Sequence, residues 1–302
     1  MSRRIIKVMS KNRQPTILLL TIRGGIITTM KRIGLIICLT LHFGGCAAPG
    51  QIATNMPQQQ QNNYPPFIED TPDRQRSFQE AWKKFLVEWR LLDVKPDLMP
   101  VLNTPRALPM DIAGRININT KAGSFGEMEA KEALRRFIDR SGAVLSSDSI
   151  SLRNLSLLSF TDEGNFFRAL FWQANYPFQI AEGYGELRFV ISKKGELLQV
   201  GSSLLPEANL PTKPEIKSQE IYDKLLGREF SYSTIAGRPE SYKLSKREDV
   251  KIGDLIVYPK LQGNRLEIHL ALPVLVGKGL SWTVYFDAIN GSELGVKQNF
   301  AS

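Results

Sequence analysis

Cysteine and histidine are scarce, with two of each in 302 residues. Cys38 sits inside an apolar N-terminal run and Cys46 just after it. A disulfide-stapled scaffold is therefore excluded for whatever folds downstream, and the fold has to rest on its hydrophobic core. His42 belongs to the same leader, so any Ser/His triad would depend on His269. No His-Glu-x-x-His, Cys-x-x-Cys, phosphate-cradling glycine loop or Gly-x-Ser-x-Gly elbow occurs. One downstream histidine among scattered carboxylates gives no metal-ligand spacing. The expectation is a non-enzyme with no catalytic residue, metal or cofactor.

His269 lies in Leu266-Glu267-Ile268-His269-Leu270, where apolar residues alternate with polar ones, and this places it on the exposed face of a strand. The pairs Glu182 with Glu186 and Asp287 with Glu293 flank strand ends and read as surface turn carboxylates rather than an acid/base pair.

Acidic residues are missing from the first 45 positions, which carry Arg3, Arg4, Lys7, Lys11, Arg13, Arg23, Lys31 and Arg32. Removing those eight charges from the formal +9 leaves +1. A nearly neutral remainder has no basic face for counterion release, so nucleic acid is not expected as a partner.

The leader itself has a recognisable build. After Met30, the expected true start, Lys31-Arg32 precede an apolar run from Ile33 to Leu41 and then His42-Phe43-Gly44-Gly45-Cys46. The run is short of the roughly 20 apolar residues that span a bilayer, which predicts a cleaved signal region over 1–45. Phe43-Gly44-Gly45-Cys46 resembles the lipobox of bacterial lipoproteins, with Phe43 in place of the usual aliphatic residue. The resemblance implies lipidation of Cys46 and anchoring in the membrane. Ala47, where inner-membrane proteins commonly have Asp, implies the outer membrane facing the periplasm.

Residues 46–72 are rich in Gln, Asn and Pro and predict a flexible, lipidated tether. Over 73–109 comes an amphipathic helix, Ser77 to Leu92, with Phe78, Trp82, Phe85, Leu86 and Trp89 on one face. An extended connector broken by Pro96, Pro100, Pro105 and Pro109 follows. Ser124 and Glu127 predict a capping box opening a second helix that ends at Gly142. Period-two alternation takes over at Phe167, Ala169 and Phe171 and at Leu187, Phe189 and Ile191, with a hairpin turn at Lys193-Lys194-Gly195. A helix capped by Ser218 and ended by Gly227 comes next, then strands at 255–258, 266–274 and 281–286. Helix and meander, twice, predict an α+β fold of two related helix-plus-antiparallel-sheet halves.

The stretch FFRALFWQANYPFQIAEGYGELRFVISKKGELLQV, Phe166 to Val200, resembles the propeptide domain of the fungalysin and thermolysin families, with Gln173, Pro177, Phe178, Gly183 and Gly195 at matching places. Asn175 stands where that family has Gly, and Asn tolerates the same left-handed backbone. The second half, ending in Tyr285-Phe286-Asp287-Ala288-Ile289-Asn290-Gly291-Ser292-Glu293-Leu294, resembles the PepSY module that follows in such propeptides. Domains of thermolysin-propeptide type over 110–205 and PepSY type over 206–302 are implied, both cystatin-like. In the ending, Asp287 is expected to bond the turn's backbone N–H groups, Gly291 to supply a positive φ and Leu294 to return to the core. An exposed His269 predicts that its loss costs far less than filling Gly291.

Propeptides of this kind assist and inhibit a zinc peptidase, and no peptidase sequence follows here. The resemblance thus implies a binding module acting on a separate secreted peptidase. The alternative is a structural or assembly component of the envelope without a peptidase partner. Tyr176, Phe178 and Tyr184 put aromatic area in a connecting turn and are the candidate partner contacts.

Overall fold

The computed structural model describes residues 64–120, 125–146, 148–233, 239–279 and 281–299. Cys46 and the signal region lie outside the described residues, as does Ser124. The architecture is α+β, with two main sheets, antiparallel apart from one parallel strand pair, that each carry helices on one face.

The end of the segment expected as a flexible tether is regular structure instead, because its Phe67–Glu69 pair with a later strand: the described chain enters through β1 (Phe67–Glu69) and α1 (Pro72–Glu88). Pro72 has its φ preset for a first helical position, and Thr71 Oγ1 accepts a hydrogen bond from Arg74 N–H at 3.3 Å. Together they start the helix five residues before Ser77. Phe78, Trp82, Phe85 and Leu86 are buried, as their spacing predicts. The connector is not simply extended: β2 (Asp97–Leu98) and β3 (Pro105–Ala107) pair within it, across a turn with positive φ at Val101 and Asn103.

In the first half, β4 (Ile116–Asn117) and α2 (Glu127–Leu145) precede α3 (Ser149–Arg153), β5 (Leu155–Asp162) and β6 (Phe166–Gln173). After β7 (Gln179–Ile180) come β8 (Glu186–Ser192) and β9 (Glu196–Ser202). Five of these strands form a sheet in the order β4-β9-β8-β6-β5. Phe167, Ala169 and Phe171 on β6 and Leu187, Phe189 and Ile191 on β8 all point at α1 and α2, where the Phe137 ring meets Phe189 edge-on at 5.9 Å. The period of two is legible because only one face of this sheet is covered by helices.

Two expectations for α2 fail. Its N-cap is Gly126, which makes no side-chain capping bond. The helix also passes Gly142 to end at Leu145, because burying Val144 and Leu145 outweighs the roughly 1 kcal/mol that a glycine costs within a helix. Gly142 has a packing role instead, since a Cβ there would lie 2.8 Å from Leu152 Cδ1 on α3.

The second half contains α4 (Ser218–Leu225), β10 (Glu229–Ser233), β11 (Pro239–Lys243), β12 (Val250–Ile252), β13 (Ile256–Gln262), β14 (Arg265–Val276), β15 (Trp282–Asp287) and β16 (Glu293–Gln298). Lys217, not Ser218, is the N-cap of α4, while Gly227, at φ +84°, follows its end as expected. The main sheet runs β16-β15-β14-β13-β7, with β1 and β12 also paired to β14. Its inner face, including Leu270, Leu272, Val274, Val276, Val284 and Phe286, packs on Ile221 and Leu225 of α4. The halves share strands at their border, because β7 pairs in parallel with β13.

Candidate functional site

The most connected buried polar group lies on the other face of the second sheet. His269 does alternate with the core residues of β14, but it is only 4% exposed, which corrects the expectation of a solvated histidine. Its cover arrives from the other end of the chain, where Tyr64 lies edge-on to the imidazole with ring centroids 6.2 Å apart. Asp287 is buried too, with no exposed surface, so it is not a surface turn carboxylate. Glu293 and Glu182 are exposed and pair with Arg228 and Lys297. Glu186 pairs with Arg188.

His269 Nδ1 is 2.7 Å from Asp287 Oδ2, and its Nε2 is 3.2 Å from Glu267 Oε2. Tyr64 Oη donates to Asp287 Oδ2 at 3.1 Å and accepts from Leu270 N–H at 2.9 Å. Asp287 Oδ1 accepts from the backbone N–H groups of Ile289 (2.8 Å) and Asn290 (3.0 Å), which is the turn bonding read from the sequence. Burial pushes the Asp287 carboxyl up, but the hydrogen bond with His269 and the two backbone donors outweigh it and hold the group below the usual carboxylate range. Burial, reinforced by the Asp287 charge, pushes the Tyr64 phenol up.

An Asp–His pair can serve a nucleophile only if the second ring nitrogen faces one. Here that nitrogen faces Glu267, and the ring is enclosed. The arrangement is suited to holding the entering segment on the sheet. Among the described residues, no three His, Cys, Asp or Glu side chains are grouped to hold a metal ion.

Of the three candidate contact rings, Tyr176 is buried, and its hydroxyl donates to Pro206 O at 2.6 Å. Phe178 and Tyr184 are half-buried against neighbouring core side chains. The backbone of this turn is left-handed at Gly183 (φ +91°) and Gly185 (φ +71°); Asn175 is not among the positive-φ residues, so the expected left-handed asparagine is absent.

The open outer face of the first sheet was missed in the sequence. Arg168 and Leu170 on β6, with Arg188 and Val190 on β8, point away from the helices. Two β-bulges add an extra leucine each, Leu158 on β5 and Leu198 on β9, 64% and 37% exposed. Leu157-Leu158 and Leu197-Leu198 are doublets that break the alternation, and that was the available signal. At one end the face is bounded by a cleft of about 70 Å³, lined by Arg106, Gly183, Glu186, Arg188 and Gly201.

No family model matches the chain, and no curated protein matches it either. Among solved structures there is one distant likeness to report. The chain is similar to the Bacillus megaterium YpeB C-terminal domain. The two are 12% identical and align over 78% of this chain and 100% of that one at a TM-score of 0.27, a likeness that carries nothing about function.

Proposed function

We propose that the protein is a lipid-anchored component of the cell envelope that works as a non-catalytic protein-binding module, its partner a secreted peptidase that it inhibits or helps to fold. The observation that supports this best is the uncovered face of the five-stranded sheet. Helices occupy one side only, and the other displays Leu170 and Val190 among Arg168 and Arg188, with the bulge leucines Leu158 and Leu198 exposed on the neighbouring strands. Aliphatic side chains with arginines on a rigid sheet are what a protein interface is made from. The strand β5 at the edge of that sheet adds a free row of backbone groups, and Leu155 to Thr161 carry no charge that would repel an added strand.

The lipobox-like sequence supports the envelope location. Each buried acyl methylene contributes about 0.8 kcal/mol, so a multiply acylated Cys46 would hold the chain stably. No helix among the described residues is long and apolar enough to cross a membrane. The PepSY-like and propeptide-like sequence motifs support a peptidase as the partner.

Titration of a secreted thermolysin-type zinc peptidase with the full chain tests the reading. Peptide hydrolysis should slow in proportion to added protein, or recovery of activity on refolding should rise. Leu170→Arg should abolish either effect. Cys46→Ser should keep the effect while shifting the protein from the membrane to the soluble fraction. Neither inhibition nor assisted refolding would remove the peptidase from the proposal.

A further inference from the structure

Residues 64–70 lie along β14 through the three-residue β1 ladder and a small set of flanking contacts. Pro66 O accepts from Ile268 N–H at 2.8 Å, Asp70 N–H donates to Asn264 O at 2.9 Å, and the Arg265 guanidinium lies 3.5 Å from the centre of the Phe67 ring. The strand β1 has only three residues, and Phe67 is 45% exposed. Short, solvated strands of this kind open easily. Half-buried Tyr64 is seated on Asp287 and Leu270, Ile68 packs against the neighbouring core, and Asp70 Oδ1 accepts from Asn103 Nδ2 at 2.8 Å.

The Tyr64 ring lies edge-on to His269. Its charged and titratable neighbours are Arg265 and Glu267 on β14, Asp287 on β15, Tyr258 and Lys260 across the strand pair on β13, and Tyr64 and Glu69 on the entering segment. Both ring nitrogens face carboxylate oxygens, at 2.7 and 3.2 Å. A neutral imidazole carries one N–H and would set a lone pair against the second carboxylate; only the doubly protonated ring donates to both. In that state the charges of Arg265, Glu267, His269 and Asp287 cancel. Removing the proton leaves a net negative charge and a repulsive contact beside the buried Asp287 carboxylate.

We propose that His269 is a proton-operated latch for residues 64–70: the charged imidazole keeps them docked on β14, and its neutralisation releases them, freeing the edge of β14 at 265–267. An ionised Asp287 that accepts hydrogen bonds from both His269 and Tyr64 fits the docked state. The inference holds whatever the identity of the partner.

Hydrogen exchange on the full chain, read on peptides covering 64–70 and 264–271 and corrected for intrinsic exchange, tests the latch at about pH 5.5 and about pH 8.5. In the unmodified chain, exchange should be on the order of tenfold faster at the higher pH, as expected when a buried polar contact is lost. Glu267→Gln replaces the carboxylate facing Nε2 and should flatten that dependence with the segment docked. Tyr64→Phe should leave the segment open at both values. Equal exchange at the two pH values, full pH dependence in Glu267→Gln, or a closed segment in Tyr64→Phe would each overturn the latch.

Discussion

Asp287→Ala is expected to lower the unfolding free energy by about 3–5 kcal/mol, the cost typical of breaking a buried ion pair by removing one partner. Four donors lose their acceptor at once: the His269 ring, the Tyr64 hydroxyl and the N–H groups of Ile289 and Asn290. Chemical denaturation of the two proteins measures the difference. The effect should also depend on pH in a definite direction. The folded carboxyl is held below its ordinary value of 3.8, so the stability it contributes is fully present above that value. It is lost as the pH falls through the depressed folded value. On acidification, the gap between the unmodified protein and Asp287→Asn should therefore narrow only in strong acid. A gap that closes on acidification well before that range would mean that Asp287 is not the ionised acceptor described.

The second large effect reverses an expectation drawn from the alternating pattern. An exposed His269 could be removed cheaply, whereas Gly291 at a positive-φ turn could not be filled. Gly291 does sit at φ +70°, and a Cβ there would lie 2.8 Å from Ile216 Cδ1. Gly291→Val should thus cost about 2–3 kcal/mol through strain and crowding. His269→Ala should cost a similar amount, about 2–4 kcal/mol, because it takes a hydrogen-bond partner from a fully buried carboxylate and opens a cavity under Tyr64. Paired thermal melts decide the matter. A loss below about 0.5 kcal/mol for His269→Ala, the range of ordinary surface substitutions, would contradict its burial.

The side of the sheet that His269 occupies was legible, since Leu266, Ile268 and Leu270 alternate with it toward the core. What covers that side was not. Tyr64 lies 206 positions from Leu270, and no local period reports on a contact at that separation. The helix faces of α1, α2 and α4 and the alternation in β6 and β8 could be read because each has one wet and one dry side. The strand β16 was missed because only Leu294 of its six residues is buried, and β1, β7 and β12 are too short to show a period. The early start of α1 was available in Thr71-Pro72, a capping residue followed by the proline favoured at the first helical position. The backbone bonds of the Asp287 turn were legible, because a side chain bonding its own next residues is a local event, whereas its burial against His269 and Tyr64 was not.

Binding through the open face of the first sheet is the claim most directly open to measurement. A photo-crosslinking amino acid placed at Leu170, and in a second chain at Glu80 on the solvent side of α1, can be activated in intact envelopes. Position 170 should give a discrete protein adduct that disappears when Leu158→Lys is added, and position 80 should give none. Adducts of equal yield from both positions, or none from position 170, would contradict a binding role for this face.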